Sequence, residues 1–268
     1  MNDLKSLLTI VVCIHERKHT LPASQEHYNN CPYNVVYSDS SETKSDVTET
    51  DNIKYIHDAN MLYYSKMIKI LDTISTPYVI EICDDMILNF DAIKECLSFL
   101  ENNKDYCFAQ GTDVRATRKK LNQNGLAMNL DGLSLPDMLR QYVKGNVWQA
   151  PNHSVVRKEI LEKIYKFVEQ EPSIYPIRWF DKIWGFIALT HGKFKRLDMP
   201  HNTYIAASRI IESMANYPEI LQRHRKFDEL RNDEDNLTKL SKILVNAGYD
   251  EGKSIDITKE IFSKYYTR

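Results

Sequence analysis

Two hydrophobic rhythms alternate along the first 110 residues. "LLTIVVCI" (7–14) is a continuous apolar run, the pattern of a strand buried on both faces. "YNVVYS" (33–38) and "NIKYIH" (52–57) predict two further strands. Between them the polar stretch 38–52, rich in Ser, Thr, Asp and Glu, reads as a loop. "NMLYYSKMIKILDTI" (60–74) spaces its apolar residues with a helical period. "PYVIEIC" (77–83) predicts a strand, "FDAIKECLSFLENN" (90–103) an amphipathic helix with Asp91 in its first turn, and "YCFAQGT" (106–112) another strand. Strands and helices alternating in this way imply an α/β fold with a mostly parallel sheet flanked by helices.

Beyond residue 112 the pattern loosens. Residues 113–150 read as a long connection carrying a short helix. "HSVVR" (153–157) predicts a strand and "KEILEKIYKFVEQ" (158–170) a helix. "EPSIYPIRWF" (171–180) is a Pro- and aromatic-rich loop. "DKIWGFIALTHG" (181–192) predicts a helix with Gly192 as its C-cap, and "KFKRLDMP" (193–200) a short strand. From about 209 onward three helical segments follow with no strand signal. The expected organisation is an α/β domain over 1–208 and a C-terminal helical extension over 209–268.

Composition narrows the function classes. The chain has 268 residues, 43% hydrophobic and 27% charged, as expected of a soluble globular protein. Its net charge of −2 lacks the basic excess of a nucleic-acid binder, so nucleic acid is not an expected partner. The five cysteines form no C-x-x-C pair and no metal spacing, which reads as a reduced, cytoplasmic protein. The first apolar run is too short to span a bilayer and lacks a basic leader, so it is expected to be the first strand.

The candidate chemistry lies at strand ends. In parallel α/β sheets ligands bind outside the carboxyl ends of the strands. Three predicted strands end in polar residues: His15, Glu16 and Arg17 after the first, Ser38 and Asp39 at the second, Asp84 and Asp85 after the strand 77–83. Two adjacent carboxylates about 4 Å apart repel by roughly 4 kcal/mol at an effective dielectric near 20. Either they turn apart into water or a positive group sits between them. Asp39, within "SDSS", also suits plain turn chemistry. Asp181 suits a helix N-cap.

In this order the segments resemble a GT-A glycosyltransferase of the inverting family 2 type, closest to the short bacterial domains of polysaccharide gene clusters. "LTIVVCIHERKHTL" resembles the opening strand and loop. "YVIEICDDMILNFDAIKECLSFLENNKDYCFAQG" resembles the metal-motif strand, helix and following strand. "WFDKIWGFIALTHGKFKRLDMPH" resembles the acceptor-side helix and strand. The resemblance implies a nucleoside-diphosphate sugar donor, a glycan or lipid-linked glycan acceptor, and Mn²⁺ or Mg²⁺ as cofactor. It implies donor contacts from Arg17, Asp39 and Asp84, metal contacts from Asp85 and His201, and a general base at Asp181. Trp148 and Trp179 would then serve the acceptor. The sequence departs from the family where Met86 replaces a third acid and Phe180 replaces a Glu. Those departures sustain one rival, a degenerate scaffold or binding protein on the same fold. A sugar nucleotidyltransferase is a second alternative, since it also joins an α/β sheet to carboxylate-held Mg²⁺, but no Gly-rich, basic phosphate loop follows the first strand. The C-terminal helices are expected to cover the acceptor side, to form a homodimer contact, or to touch the inner face of the membrane.

Overall fold

A computed structural model describes residues 4–116, 121–124, 130, 132–144, 153–171, 180–204 and 234–264. The elements in chain order are β1 (Leu8–Ile14), α1 (Leu21–Tyr28), β2 (Asn34–Asp39), β3 (Ile53–His57), α2 (Tyr63–Thr73), β4 (Tyr78–Cys83), β5 (Met86–Leu88), α3 (Phe90–Asn102) and β6 (Tyr106–Ala116). They continue with β7 (Leu121–Asn124), α4 (Leu135–Lys144), β8 (Val155–Arg157), α5 (Lys158–Gln170), α6 (Phe180–Leu189), β9 (Lys193–Tyr204), α7 (Glu234–Asn246) and α8 (Glu251–Lys264).

One nine-stranded sheet runs through the molecule in the order β3-β2-β1-β4-β8-β6-β9-β5, with β7 paired to β6. β1, β2, β3 and β4 are mutually parallel, and β6 and β9 run parallel to one another. The short β8 lies antiparallel between β4 and β6, and β5 returns antiparallel along β9. The mostly parallel α/β architecture expected from the hydrophobic pattern is the one observed.

The central strands are buried on both faces, which explains their unbroken apolar runs. Along β1, Ile10, Val12 and Ile14 join one core with α1 and α3, while Val11 and Cys13 join the other with α2, α4, α5 and α6. The same second core takes in Leu237, Leu240, Ile243 and Leu244 of α7 and Ile261 and Phe262 of α8. Arg140 of α4 adds an ion pair to Glu260 of α8 at 2.9 Å. Gly185 lets α6 approach α4 closely: a Cβ there would lie 2.2 Å from the Tyr142 ring.

Several elements differ from expectation. α1 is a helix where none was expected; its eight residues bury only Leu21, Ser24 and Tyr28, too short a stripe to register as periodic. β5 follows the paired aspartates directly, where the sequence suggested the approach to a helix. β6 and β9 run longer than expected. Gly192 does not cap α6, which ends at Leu189. It immediately precedes β9 instead, where a Cβ would come within 3.0 Å of the Asp105 carbonyl. The five cysteines are all free thiols, and Cys83 alone is not fully buried.

Candidate active site

β1 and β4 are neighbours in the sheet, yet the chain leaves them on opposite sides: β2 and β3 lie beyond β1, and β8 and β6 beyond β4. Sheets of this kind form their ligand crevice at such a switch point. Asp84 and Asp85 emerge here at the end of β4, both almost completely buried. The loop after β1 brings Arg17 over them. Its guanidinium pairs with Asp84 Oδ1 through Nη2 and with Asp85 Oδ2 through Nη1, the latter at 3.1 Å. The positive group between the two carboxylates is therefore supplied by the chain itself.

Local backbone geometry helps deliver Arg17. The preceding residue, Glu16, has φ +56°, a left-handed conformation that costs a non-glycine residue roughly 1–2 kcal/mol. Two hydrogen bonds hold it. The Glu16 amide donates to Ser41 Oγ at 2.9 Å, and Glu16 Oε1 accepts from the Glu42 amide at 2.6 Å. Lys18 continues the seam by donating to Thr43 Oγ1 at 2.5 Å. The loops after β1 and β2 are thus fastened side by side. The Thr20 hydroxyl lies 3.0 Å from Asp84 Oδ2 and 2.8 Å from the Arg17 carbonyl, with one proton to share between them.

The carboxyls here titrate differently. Burial pushes Asp84 up to about 6, against the pull of Arg17 and with the charge of Asp85 adding to the rise. Arg17 is held firmly protonated: burial opposes its charge most strongly, but the neighbouring acidic groups, Asp84 foremost, together outweigh it. Asp39 behaves in the opposite way. Burial again disfavours its charge, yet it is lowered to about 2 because Ser41, Ser45 and Tyr55 hydrogen-bond to it. Its Oδ1 accepts from the Ser41 amide at 2.8 Å, and its Oδ2 from the Ser45 amide at 3.2 Å and the Tyr55 hydroxyl at 2.7 Å. Asp39 therefore closes the turn that shapes this end of β2, the turn chemistry that its sequence context also allowed.

Two buried charges escaped the sequence reading. Lys66 of α2 is 2% exposed, and its Nζ donates to the Ile14 carbonyl at 3.3 Å, the Ser38 carbonyl at 3.2 Å and Ser40 Oγ at 3.2 Å. It ties α2 to the ends of β1 and β2. Glu81, inside β4, is fully buried and accepts from Tyr63 of α2 at 2.8 Å, from the Tyr165 hydroxyl of α5, and from Trp184 Nε1 of α6 at 3.3 Å. The signal for both was a charged residue on an otherwise apolar stripe or strand.

His201 lies on β9 beside Asn89, whose amide donates to its carbonyl at 2.7 Å. That position is four residues along from Asp85. Its Nε2 carries the proton and donates to the His153 carbonyl at 2.9 Å, so Nδ1 is a buried acceptor without a partner among the described residues. Burial pushes His201 down to about 4. Among the described residues no three His, Cys, Asp or Glu side chains are grouped to hold an ion. Asp181 falls in the first turn of α6, one turn before Trp184, and its side chain lies outside the described residues. Trp148 and Trp179 also lie outside them.

No protein-family model matches the sequence, and no curated protein matches it. Solved structures do match the fold. A structure of S. aureus TarS superposes with a TM-score of 0.53 at 10% identity, covering 97% of this chain and 44% of that one. TarS 1-349 in complex with UDP gives 0.55 at 12% identity, over 98% of this chain and 72% of that one. The complex of TarS 1-349 with UDP-GlcNAc gives 0.57 at 12% identity, over 95% and 71%. This chain has the fold of TarS. It spans under half of the longer TarS chain, and the likeness is one of architecture. Among the described residues no helix is long and apolar enough to cross a membrane.

Proposed function

We propose that this chain is a glycosyltransferase. It moves a sugar from a nucleoside-diphosphate donor to a hydroxyl of a glycan acceptor in the cytoplasm, with inversion and with the help of a divalent ion. One observation carries the reading. A buried carboxylate pair stands at the switch point of a sheet whose fold is shared with a protein solved with UDP and with UDP-GlcNAc. UDP is accordingly the first nucleotide to test.

The residues divide the work as follows. The seam between the loops after β1 and β2, kept in place by Asp39 and Lys66, forms the nucleoside side. Asp84 faces the ribose and the diphosphate side together with Arg17, whose planar fork suits phosphate oxygens. Asp85 suits Mg²⁺ or Mn²⁺: its Oδ1 is buried without a partner among the described residues, and these ions need only one or two protein carboxylates beside the phosphates. When bound, the ion supplies Lewis-acid neutralisation of the departing diphosphate. Asp181 takes the acceptor proton as the hydroxyl oxygen bonds to the anomeric carbon and the bond to the diphosphate breaks. Asp181 falls in the first turn of α6, and a helix N-terminus favours the anionic form of a carboxylate. Trp148 and Trp179 stack on the acceptor.

The test is release of UDP from UDP-sugars in the presence of Mn²⁺. Turnover is expected from the native chain. Asp181→Asn is expected to reduce it by at least about a hundredfold, in line with the usual weight of a general base, and Asp85→Asn is expected to reduce it by weakening the hold on the ion that neutralises the departing diphosphate. Absence of both UDP binding and turnover across UDP-sugars and other nucleoside-diphosphate sugars would sink the proposal. Binding without turnover would instead favour the scaffold reading. That rival draws on the same ion pair, since Asp84 and Asp85 already carry a counter-ion of their own.

A further inference from the structure

Arg17 occupies both carboxylates that a divalent ion would need. Its side chain is 24% exposed, while those of Asp84 and Asp85 are 0% and 3% exposed, so the guanidinium lies between the pair and solvent. It is anchored on a loop, next to the left-handed Glu16, and not on a strand. Asp85 Oδ1 remains buried and without a partner among the described residues. These facts describe a carboxylate pair that is held ready but already neutralised in part.

We infer that Arg17 acts as a resident counter-ion that withholds Asp84 and Asp85 from a lone divalent cation, so that metal and nucleotide diphosphate bind together or not at all. The inference rests on the donor reading given above. Charge bookkeeping supplies the reason. Two carboxylates and one guanidinium leave the site with one net negative charge. A divalent cation alone would have to displace the guanidinium from the carboxylate oxygens and lie beside it as a second positive charge, and the twice-negative diphosphate of a sugar nucleotide alone would take the site from one net negative charge to three. Both changes are disfavoured where water is excluded. Arriving together, the two leave the net charge unchanged. The guanidinium then exchanges a carboxylate oxygen for a phosphate oxygen, an equally good partner for its fork. Binding of the two ligands is therefore coupled, and coupling is reciprocal.

Removing the guanidinium should break the coupling. Without Arg17 the pair carries two negative charges, and a lone divalent cation becomes its natural counter-ion. The experiment titrates the full chain with Mn²⁺ alone and follows free Mn²⁺ by its electron paramagnetic resonance signal. Arg17→Met and Arg17→Gln are expected to bind Mn²⁺ at least tenfold more tightly than the native chain, Arg17→Lys to stay near native, and Arg17→Met/Asp85→Asn to lose the gain. A second arm measures UDP affinity by calorimetry with Mn²⁺ and with EDTA. Mn²⁺ should tighten UDP at least tenfold in the native chain and by a smaller factor in the two neutral variants. Circular dichroism confirms that each variant is folded, and the two neutral variants guard against the loss of either one. Equal Mn²⁺ affinity in the native chain and a folded neutral variant overturns the inference and leaves the donor reading intact, provided UDP binds. Failure of UDP to bind under any condition overturns both.

Discussion

At the scale of single residues, the site sets two buried groups against each other in acid. Asp84 is raised to about 6, so between pH 4 and 6 the folded chain holds a proton there that the unfolded chain has released. Its contribution to stability is full below pH 4 and lost as pH rises through 6. His201 is lowered to about 4, so across nearly the same interval the unfolded chain binds the extra proton. Its contribution is full above pH 6.5 and lost as pH falls towards 4. The two slopes oppose, each about 1.4 kcal/mol per pH unit. His201→Gln, which keeps a donor for the His153 carbonyl, is expected to make stability fall more steeply as pH rises from 4 to 6. Asp84→Asn is expected to make it rise. Urea denaturation at several pH values checks both signs. Much of this was legible one residue at a time: the aspartates declared themselves by ending a strand. Their partners did not, because a pairing such as Arg17 with Asp85 depends on which strands become neighbours.

At the scale of elements, periodicity located nearly every strand and helix of the first 110 residues, since the central strands are buried on both faces and each long helix on one. It failed for α1 and β5, whose eight and three residues are too few to complete a pattern. It also could not say which elements a buried charge would join. Glu81 joins β4 to α2, α5 and α6 through Tyr63, Tyr165 and Trp184. Because α6 carries Asp181 in its first turn, this carboxylate links the strand bearing the aspartate pair to the helix bearing the proposed base. Glu81→Gln keeps the shape but turns one acceptor into a donor facing other donors. The expected loss is about 1–3 kcal/mol in denaturant unfolding, the usual cost of an unsatisfied buried polar group. Glu81→Ala should cost more, since it strands three donors and leaves a void.

At the scale of the whole molecule, α7 and α8 are not peripheral to the core. Leu237, Leu240, Ile243, Leu244, Ile261 and Phe262 share one apolar cluster with α2, α4, α5 and α6. At about 1.5–3 kcal/mol for each buried side chain, their loss amounts to on the order of 10 kcal/mol, comparable with the whole stability of a domain. Ending the chain at residue 233 is therefore expected to abolish cooperative thermal unfolding or to leave the protein insoluble, as scanning calorimetry and solubility would show. Independent folding of the shortened chain would refute this. The helical character of these segments was plain in the sequence, but their docking was not, because an apolar stripe does not say which surface it will meet.

The pairing of β5 with β9 sets an order of events during synthesis. Met86 to Leu88 follow the two aspartates immediately, yet their hydrogen-bonding partners are Asn202 to Tyr204. A ribosome that has just released the aspartates must add more than a hundred further residues before that ladder can close. Until then the nascent chain can form β1 to β4 in parallel, and the segment leaving the carboxylate pair can rest on Tyr28 and His27 of α1, but its strand partner is still missing. Contacts so distant in sequence close late. The crevice around Asp84 and Asp85 is thus expected to take its final shape only when most of the polypeptide has emerged, well after the sheet that supports it.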